Sequence, residues 1–119
     1  MFIFDVFMFS GTSMKAVQDV LDSGKICMLD IDMQGVQQVK KTTLNPRYIF
    51  IRPPSPELET LEGRIRGRQS GEREEAIQAR LAAAVRELEY ASLPNSYDFV
   101  IMNDNLDRAY SELKVAVLE

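Results

Sequence analysis

The sequence predicts an α/β fold, a parallel sheet flanked by helices. Three observations predict it. Apolar, β-branched and aromatic runs at 26–31, 47–52 and 98–103 alternate with segments of helical periodicity. Those runs hold few polar residues, as strands covered on both faces do. No linker, repeat or low-complexity stretch divides the 119 residues, a length that suits one domain with a modest core.

The first ten residues, MFIFDVFMFS, are apolar and strand-like. They are too few to span a membrane. Asp5, and the lack of any basic residue before Lys15, make a poor export signal. Thr12 or Ser13 can cap a helix that carries Val17, Val20 and Leu21 at helical spacing, and Gly24 can end it in the left-handed conformation. The strand at 26–31 comes next, with Ile26, Cys27, Met28, Leu29 and Ile31 expected inside. Gln34–Lys41 reads as a short helix, stopped by TTLNP. RYIFIR, 47–52, is the next strand, and Pro53 and Pro54 stop it. Ser55 is expected to cap a helix that has Pro56 in its first turn and runs to about Arg68. After the turn QSGE, a helix over 72–91 sets Ile77, Leu81, Ala84, Leu88 and Ala91 on one stripe. DFVIMN is the third strand of this reading. Asn105 can cap a last helix, 106–118, with Leu106, Ala109, Tyr110, Leu113 and Val117 along it.

Composition excludes several chemistries. There is no His, so His-based catalysis and His metal sites are out. The single Cys27 can form neither an internal disulfide nor a Cys-cluster zinc site. A reducing, cytoplasmic setting fits. A net charge of −4 argues against a general nucleic-acid binder, and no segment suits a membrane span.

In parallel sheets ligands bind beyond the carboxyl ends of the strands, where Asp30, Asp32, Pro53 and Asn103 fall. If the strand extends to Asp32, both acids point to one face. Two carboxylates there could hold Mg²⁺ through water, accept hydrogen bonds from a base or ribose, or pair with arginines. They could equally cap the next helix and pair with Lys or Arg. A second cluster is cationic: Arg64, Arg66, Arg68, Arg73 and Arg80 are five of nine arginines. Arg64 and Arg68 share a helix face. The planar guanidinium suits phosphate oxygens and can stabilise a transferring phosphoryl group. The interleaved Glu62, Glu72, Glu74 and Glu75 allow a solvated, ion-paired face instead. Strand-end acids beside an arginine-rich hairpin favour phosphoryl transfer. No G-x-x-x-x-G-K-[ST] or G-x-G-x-x-G run occurs in the 119 residues.

FSGTS, ICMLDIDMQGV, RYIFIRPPSPELETLEGRIRGR, QARLAAAVRELEY and DFVIMNDNLDRAYSELK, in that order and spacing, resemble the C-terminal two-thirds of a guanylate kinase. The resemblance covers about 9–118. It implies a single truncated domain over 1–119, a partial P-loop nucleoside monophosphate kinase fold, with 1–8 atypical and a helical lid within about 56–91. The activity implied is transfer of the γ-phosphoryl of ATP to GMP, with Mg²⁺, giving ADP and GDP. By motif, Thr12 and Asp32 would bind GMP, Asp32 at the guanine edge. Asp30 would help organise Mg²⁺ indirectly. Arg64 and Arg68 would act in catalysis and ATP binding, Arg80 on the transferring phosphate, and Asn103 near the adenine. The family's P-loop and most of its GMP-binding insert have no counterpart in these residues, and Ser10 stands where a Tyr is expected. The implied consequence is a chain impaired in turnover. The alternative is a non-catalytic guanylate kinase-like module that binds protein partners. In the family the first strand lies mid-sheet, between the strands that 26–31 and 47–52 resemble. Phe2–Phe7 is expected to fill that slot.

Overall fold

The computed structural model describes residues 2–5, 14–68 and 71–118. Among these residues, four parallel strands form one sheet: β1 (Phe2–Asp5), β2 (Met28–Ile31), β3 (Arg47–Arg52) and β4 (Phe99–Met102), in the order β2-β1-β3-β4. The backbone of β1 therefore lies in the expected central slot. Ile3 aligns with Leu29 on one side and Tyr48 on the other. Without it, β2 and β3 would each present an unpaired ladder edge. Residues 6–7 lie outside the described residues, as do the expected caps Thr12 and Ser13.

Among the described residues, five helices connect and cover the strands: α1 (Met14–Asp22), α2 (Met33–Lys40), α3 (Glu57–Gly67), α4 (Glu74–Ala91) and α5 (Leu106–Leu118). Gly24 ends the α1 segment at φ +80, the left-handed state expected of it. Asn105 caps α5, its Oδ1 accepting the Arg108 N–H at 3.0 Å. At the other end of α5, Arg47 donates to the Ala116 carbonyl at 2.8 Å.

Register assigns the faces. Tyr48 and Phe50 share one face of β3, and Ile49 and Ile51 the other. On the first, Val17, Cys27, Leu29, Ile31 and Val36 form a core with Tyr48, Tyr90 and Tyr97 packed against it. On the second, α5 seats Ala109 and Ala116 over Ile49 and Ile101, flanked by Ile51, Leu113 and Val117. Phe50 stacks on Tyr97 at 5.1 Å, and Tyr97 meets Tyr90 edge-on at 5.7 Å. Lys40 ties this aromatic group to α2, donating to the Tyr90 hydroxyl and to the Ser96 carbonyl, each at 2.7 Å.

Four expectations need correction. Among β2, β3 and β4, double-sided burial holds only for the middle of β3. β2 and β4 each leave one face largely open, with Met28 51% and Val100 51% exposed. The reason is coverage: α5 packs over β3 and β4, and no described helix lies over Met28 and Asp30. Ile26, 51% exposed, precedes the strand and is not part of the core. Ser55 does not cap α3; Pro56 holds the cap position and no side chain closes it. On α5, Leu106 and Tyr110 face solvent, while Ala109 and Ala116 make the contact. A helix laid on β-branched side chains approaches most closely through its small residues.

The β4 ladder is longer than its strand. Asp98 N–H donates to the Tyr48 carbonyl at 2.7 Å and Asn103 N–H to the Arg52 carbonyl at 2.8 Å. The radius of gyration is 15.0 Å, above the roughly 13.5 Å of a compact chain of this length. α3 and α4 pack against each other as a hairpin. The two helices span about 16 and 27 Å. Among the described residues, no helix is long and apolar enough to cross a membrane.

Candidate functional site

Asp30 is the third residue of β2, on the face that β2 leaves open. It aligns through Phe4 with Ile49. Partial burial of this otherwise exposed carboxyl pushes its pKa up from the ordinary value. Asp32 lies one residue past the strand, with extended backbone, and is the N-cap of α2. Its Oδ1 accepts the Gly35 N–H at 2.9 Å. The capping alternative therefore holds for Asp32, whereas Asp30 lies within the strand. Among the described residues, the cap uses only one Asp32 oxygen and leaves Oδ2 available.

Gly35 has a role that the sequence reading misses. A Cβ there would stand 3.0 Å from the Ile31 Cβ. The glycine lets the first turn of α2 close over the end of β2, and this closure sets Asp32. A glycine three residues after an acid, directly behind an apolar strand, is the available signal.

Asn103 follows β4, and its N–H bond to Arg52 brings it level with the end of β3. Asp32, Arg52 and Asn103 thus lie at the carboxyl ends of β2, β3 and β4, and Asp30 holds the next-to-last position of β2. α3 begins from the same edge, past Pro53–Pro56. Arg52 pairs with Glu57 across that proline-rich link.

The hairpin sorts its arginines. Its buried seam holds Ile65 on α3 and Ile77 on α4. At about 100° per residue, Arg66 lies on one flank of Ile65, and Arg64 and Arg68 on the other. Arg66 crosses to α4: Nη1 and Nη2 donate to Glu74 at 2.8 and 2.7 Å, while Nε donates to Glu62 at 3.1 Å. Glu74 lies about 60° to one side of Ile77 and Arg80 about 60° to the other. Because Arg66 meets Glu74, the opposite flanks also correspond. Arg64, Arg68 and Arg80 therefore share one side of the hairpin. Arg80 is paired with Glu72 at 2.9 Å. The side chains of Arg64, Arg68 and Arg73 make no hydrogen bond or ion pair among the described residues. The expected solvated, ion-paired face thus describes Arg66 and Arg80, and not Arg64, Arg68 or Arg73.

Thr12 lies outside the described residues. Two surface depressions are lined by described residues elsewhere. One of about 700 Å³ lies among Asn45, Arg47, Asp98, Phe99 and Val115, and one of about 370 Å³ among Arg52, Glu57, Leu88, Ser92 and Val100. Neither is lined by Asp30, Asp32, Arg64, Arg68, Arg80 or Asn103.

A parallel sheet with acids and an asparagine on its carboxyl edge, and an arginine-bearing hairpin springing from that edge, defines a nucleoside monophosphate kinase-like fold. Within that class the chain belongs to the guanylate kinase family, whose model matches residues 5–119. Similar proteins carry the same description. The guanylate kinase of Sus scrofa is 49% identical over 109 residues, covering 92% of this chain and 54% of its own length. That of Homo sapiens is 50% identical over 109 residues, with the same coverage. That of Escherichia coli (strain K12) is 42% identical over 107 residues, 90% of this chain and 49% of its own. The chain spans about half the length of the curated relatives it matches.

Proposed function

We propose that this chain carries part of a guanylate kinase-type site, for transfer of the γ-phosphoryl of ATP to GMP with release of ADP and GDP. One observation supports the reading: two acids stand at the carboxyl end of β2, and a hairpin with uncommitted Arg64 and Arg68 side chains follows the carboxyl end of β3 in the same sheet. Asp32 caps α2 with Oδ1, and Oδ2 would accept from the N–H donors of guanine, which adenine does not offer. Arg64 and Arg68 would bind ATP phosphates, and Arg80 would exchange Glu72 for the transferring group. Such fixed cations act where charge develops. By the same reading Asn103 would contact the adenine, and Thr12 would contact GMP.

Among the described residues, no group of three or more Cys, Asp or Glu could hold a metal alone. That suits Mg²⁺, which keeps waters and takes further ligands from nucleotide phosphates around one or two carboxylates. Asp30 is the carboxylate that would hold it through water. Mg²⁺ bound there would neutralise charge on the phosphate oxygens. A cytoplasmic setting, supported by the free, buried thiol of Cys27, matches these substrates.

The 119 residues contain no phosphate-cradling G-x-x-x-x-G-K-[ST] run. Losing even one preorganised donor costs about 10²–10³ in rate, so this chain by itself turns over far more slowly than a complete enzyme. Calorimetric titration with GMP and AMP, and a coupled assay for GMP-dependent ADP release, test the proposal. The expected result is GMP bound in preference to AMP, with slow turnover. Equal binding of both nucleotides, or of neither, would overturn it and leave the non-catalytic, partner-binding reading.

A further inference from the structure

The proposed function gives Arg64, Arg68 and Arg80 to nucleotide phosphates, and the role of Arg66 rests on that assignment. We propose that Arg66, on the opposite flank, is the positioning residue of that set: its clasp on Glu74 and Glu62 holds α3 and α4 in the one alignment that brings the three arginines together.

The hairpin needs such a device. Its seam contains Ile65 and Ile77, and apolar contact is non-directional, so it does not by itself fix rotation or sliding. α3 is a weak helix in its own right. Pro56 leaves its N-terminus without a side-chain cap. Gly63 and Gly67 sit in its last two turns, with nothing near either that a Cβ would meet. Each glycine weakens the helix relative to alanine and secures no close packing in return. Directional contacts must therefore set the register.

Arg66 supplies them. A guanidinium fork on a carboxylate constrains distance and angle together, which a lysine ammonium does not. Here both Nη atoms engage Glu74 while Nε holds Glu62 one turn back on α3, so a single side chain references both helices. Gln78 adds a bond to Glu74 at 3.0 Å from one turn along α4. The clasp lies across the seam from Arg64 and Arg68. It can remain closed while those arginines take up an anion. Holding the cations in place beforehand lowers the ordering cost of binding a polyphosphate.

The test uses the full chain and two probes, inorganic tripolyphosphate for the arginine flank and GMP for the carboxyl edge. Exposed ion pairs are individually weak, so Arg66→Ala is expected to weaken tripolyphosphate binding only about fivefold. Its GMP affinity should stay within about twofold, a split that general destabilisation would not produce. Arg66→Lys keeps the charge and loses the fork, and should resemble Arg66→Ala. The swapped pair Arg66→Glu with Glu74→Arg restores the clasp and should recover tripolyphosphate binding. Unchanged binding in Arg66→Ala, or no recovery in a swapped pair of normal thermal midpoint, would overturn the inference. A wild-type chain that binds GMP but no tripolyphosphate overturns it too. A wild-type chain that binds neither overturns the proposed function as well.

Discussion

Gly35 lies against Ile31 so closely that a Cβ on the glycine would stand 3.0 Å from the Ile31 Cβ. The contact joins the first turn of α2 to the end of β2, and Asp32 is the residue between them. Gly35→Ala gains helix propensity of about 1 kcal/mol. It also overpacks a buried isoleucine, at a cost of about 1–3 kcal/mol. The expected net effect is a loss of about 1 kcal/mol in urea denaturation, with the Asp32 cap displaced. A stabilised variant would show that the backbone gives way easily here.

Asp32 combines a structural and a proposed recognition role, and two substitutions separate them. Asp32→Ala removes the cap on α2 and should cost about 1 kcal/mol of stability. Asp32→Ser keeps a capping oxygen and loses the second carboxylate oxygen, so stability should be nearly retained. GMP affinity should fall about tenfold or more in both, the usual order for a lost hydrogen bond to a charged group. If Asp32→Ser binds GMP normally, the guanine-recognition role is wrong.

The Arg66 clasp makes a pH and salt prediction. Its hydrogen bonds lower the Glu74 pKa from 4.5 to about 2. A lowered carboxyl pKa contributes stability above the unfolded value and loses it as pH falls toward the folded one. Glu74 should therefore stay ionised at about pH 4 and protonate only near the lowered value of about 2. The carboxyl carbon shift in an NMR titration reads this directly. Because the pair is solvent-exposed, about 1 M salt should move the midpoint back toward the ordinary glutamate value. A salt-independent midpoint near 4.5 would mean that the clasp is not formed in solution.

Lys40 bonds Tyr90 and Ser96 and lies 5.0 Å from the Tyr48 ring centre and 5.1 Å from that of Tyr90. It links α2 to α4 and to the loop that enters β4. Lys40→Met keeps much of the stem and removes the ammonium. A loss of about 1–2 kcal/mol in chemical denaturation is expected. A change under about 0.3 kcal/mol would mark the contact as energetically idle.

β1 pairs with strands on both sides. Its amides at 3–5 should exchange slowly, at a rate close to that of β3 and well below that of the α1 segment. Fast exchange at those positions would remove β1 from the sheet.

Much of the fold is legible because its signals are local. RYIFIR is a strand from its β-branched and aromatic content alone, and its bounds, 47–52, match β3. Gly24 and Asn105 act through their own turn chemistry. Ser55 misleads because the preference for serine at a cap is statistical, and α3 begins one residue later than a Ser55 cap needs. The acids are legible as strand-end residues, but their division of labour is not. Whether Asp32 caps α2 depends on where β2 stops, and that depends on how closely Gly35 can approach Ile31.

By itself, the sequence determined the class of fold, the order of its elements and the family, because periodicity, turn residues and motif spacing are properties of neighbours along the chain. The tertiary structure agrees with the expected place of the Phe2–Asp5 strand between β2 and β3, and it alone decided which face of β2 stays open and which arginines are spent on glutamates. Those outcomes depend on pairings between residues distant in the chain. An arginine beside several glutamates has the same local sequence whether it grips one or faces a ligand, and packing of α3 against α4 makes the choice.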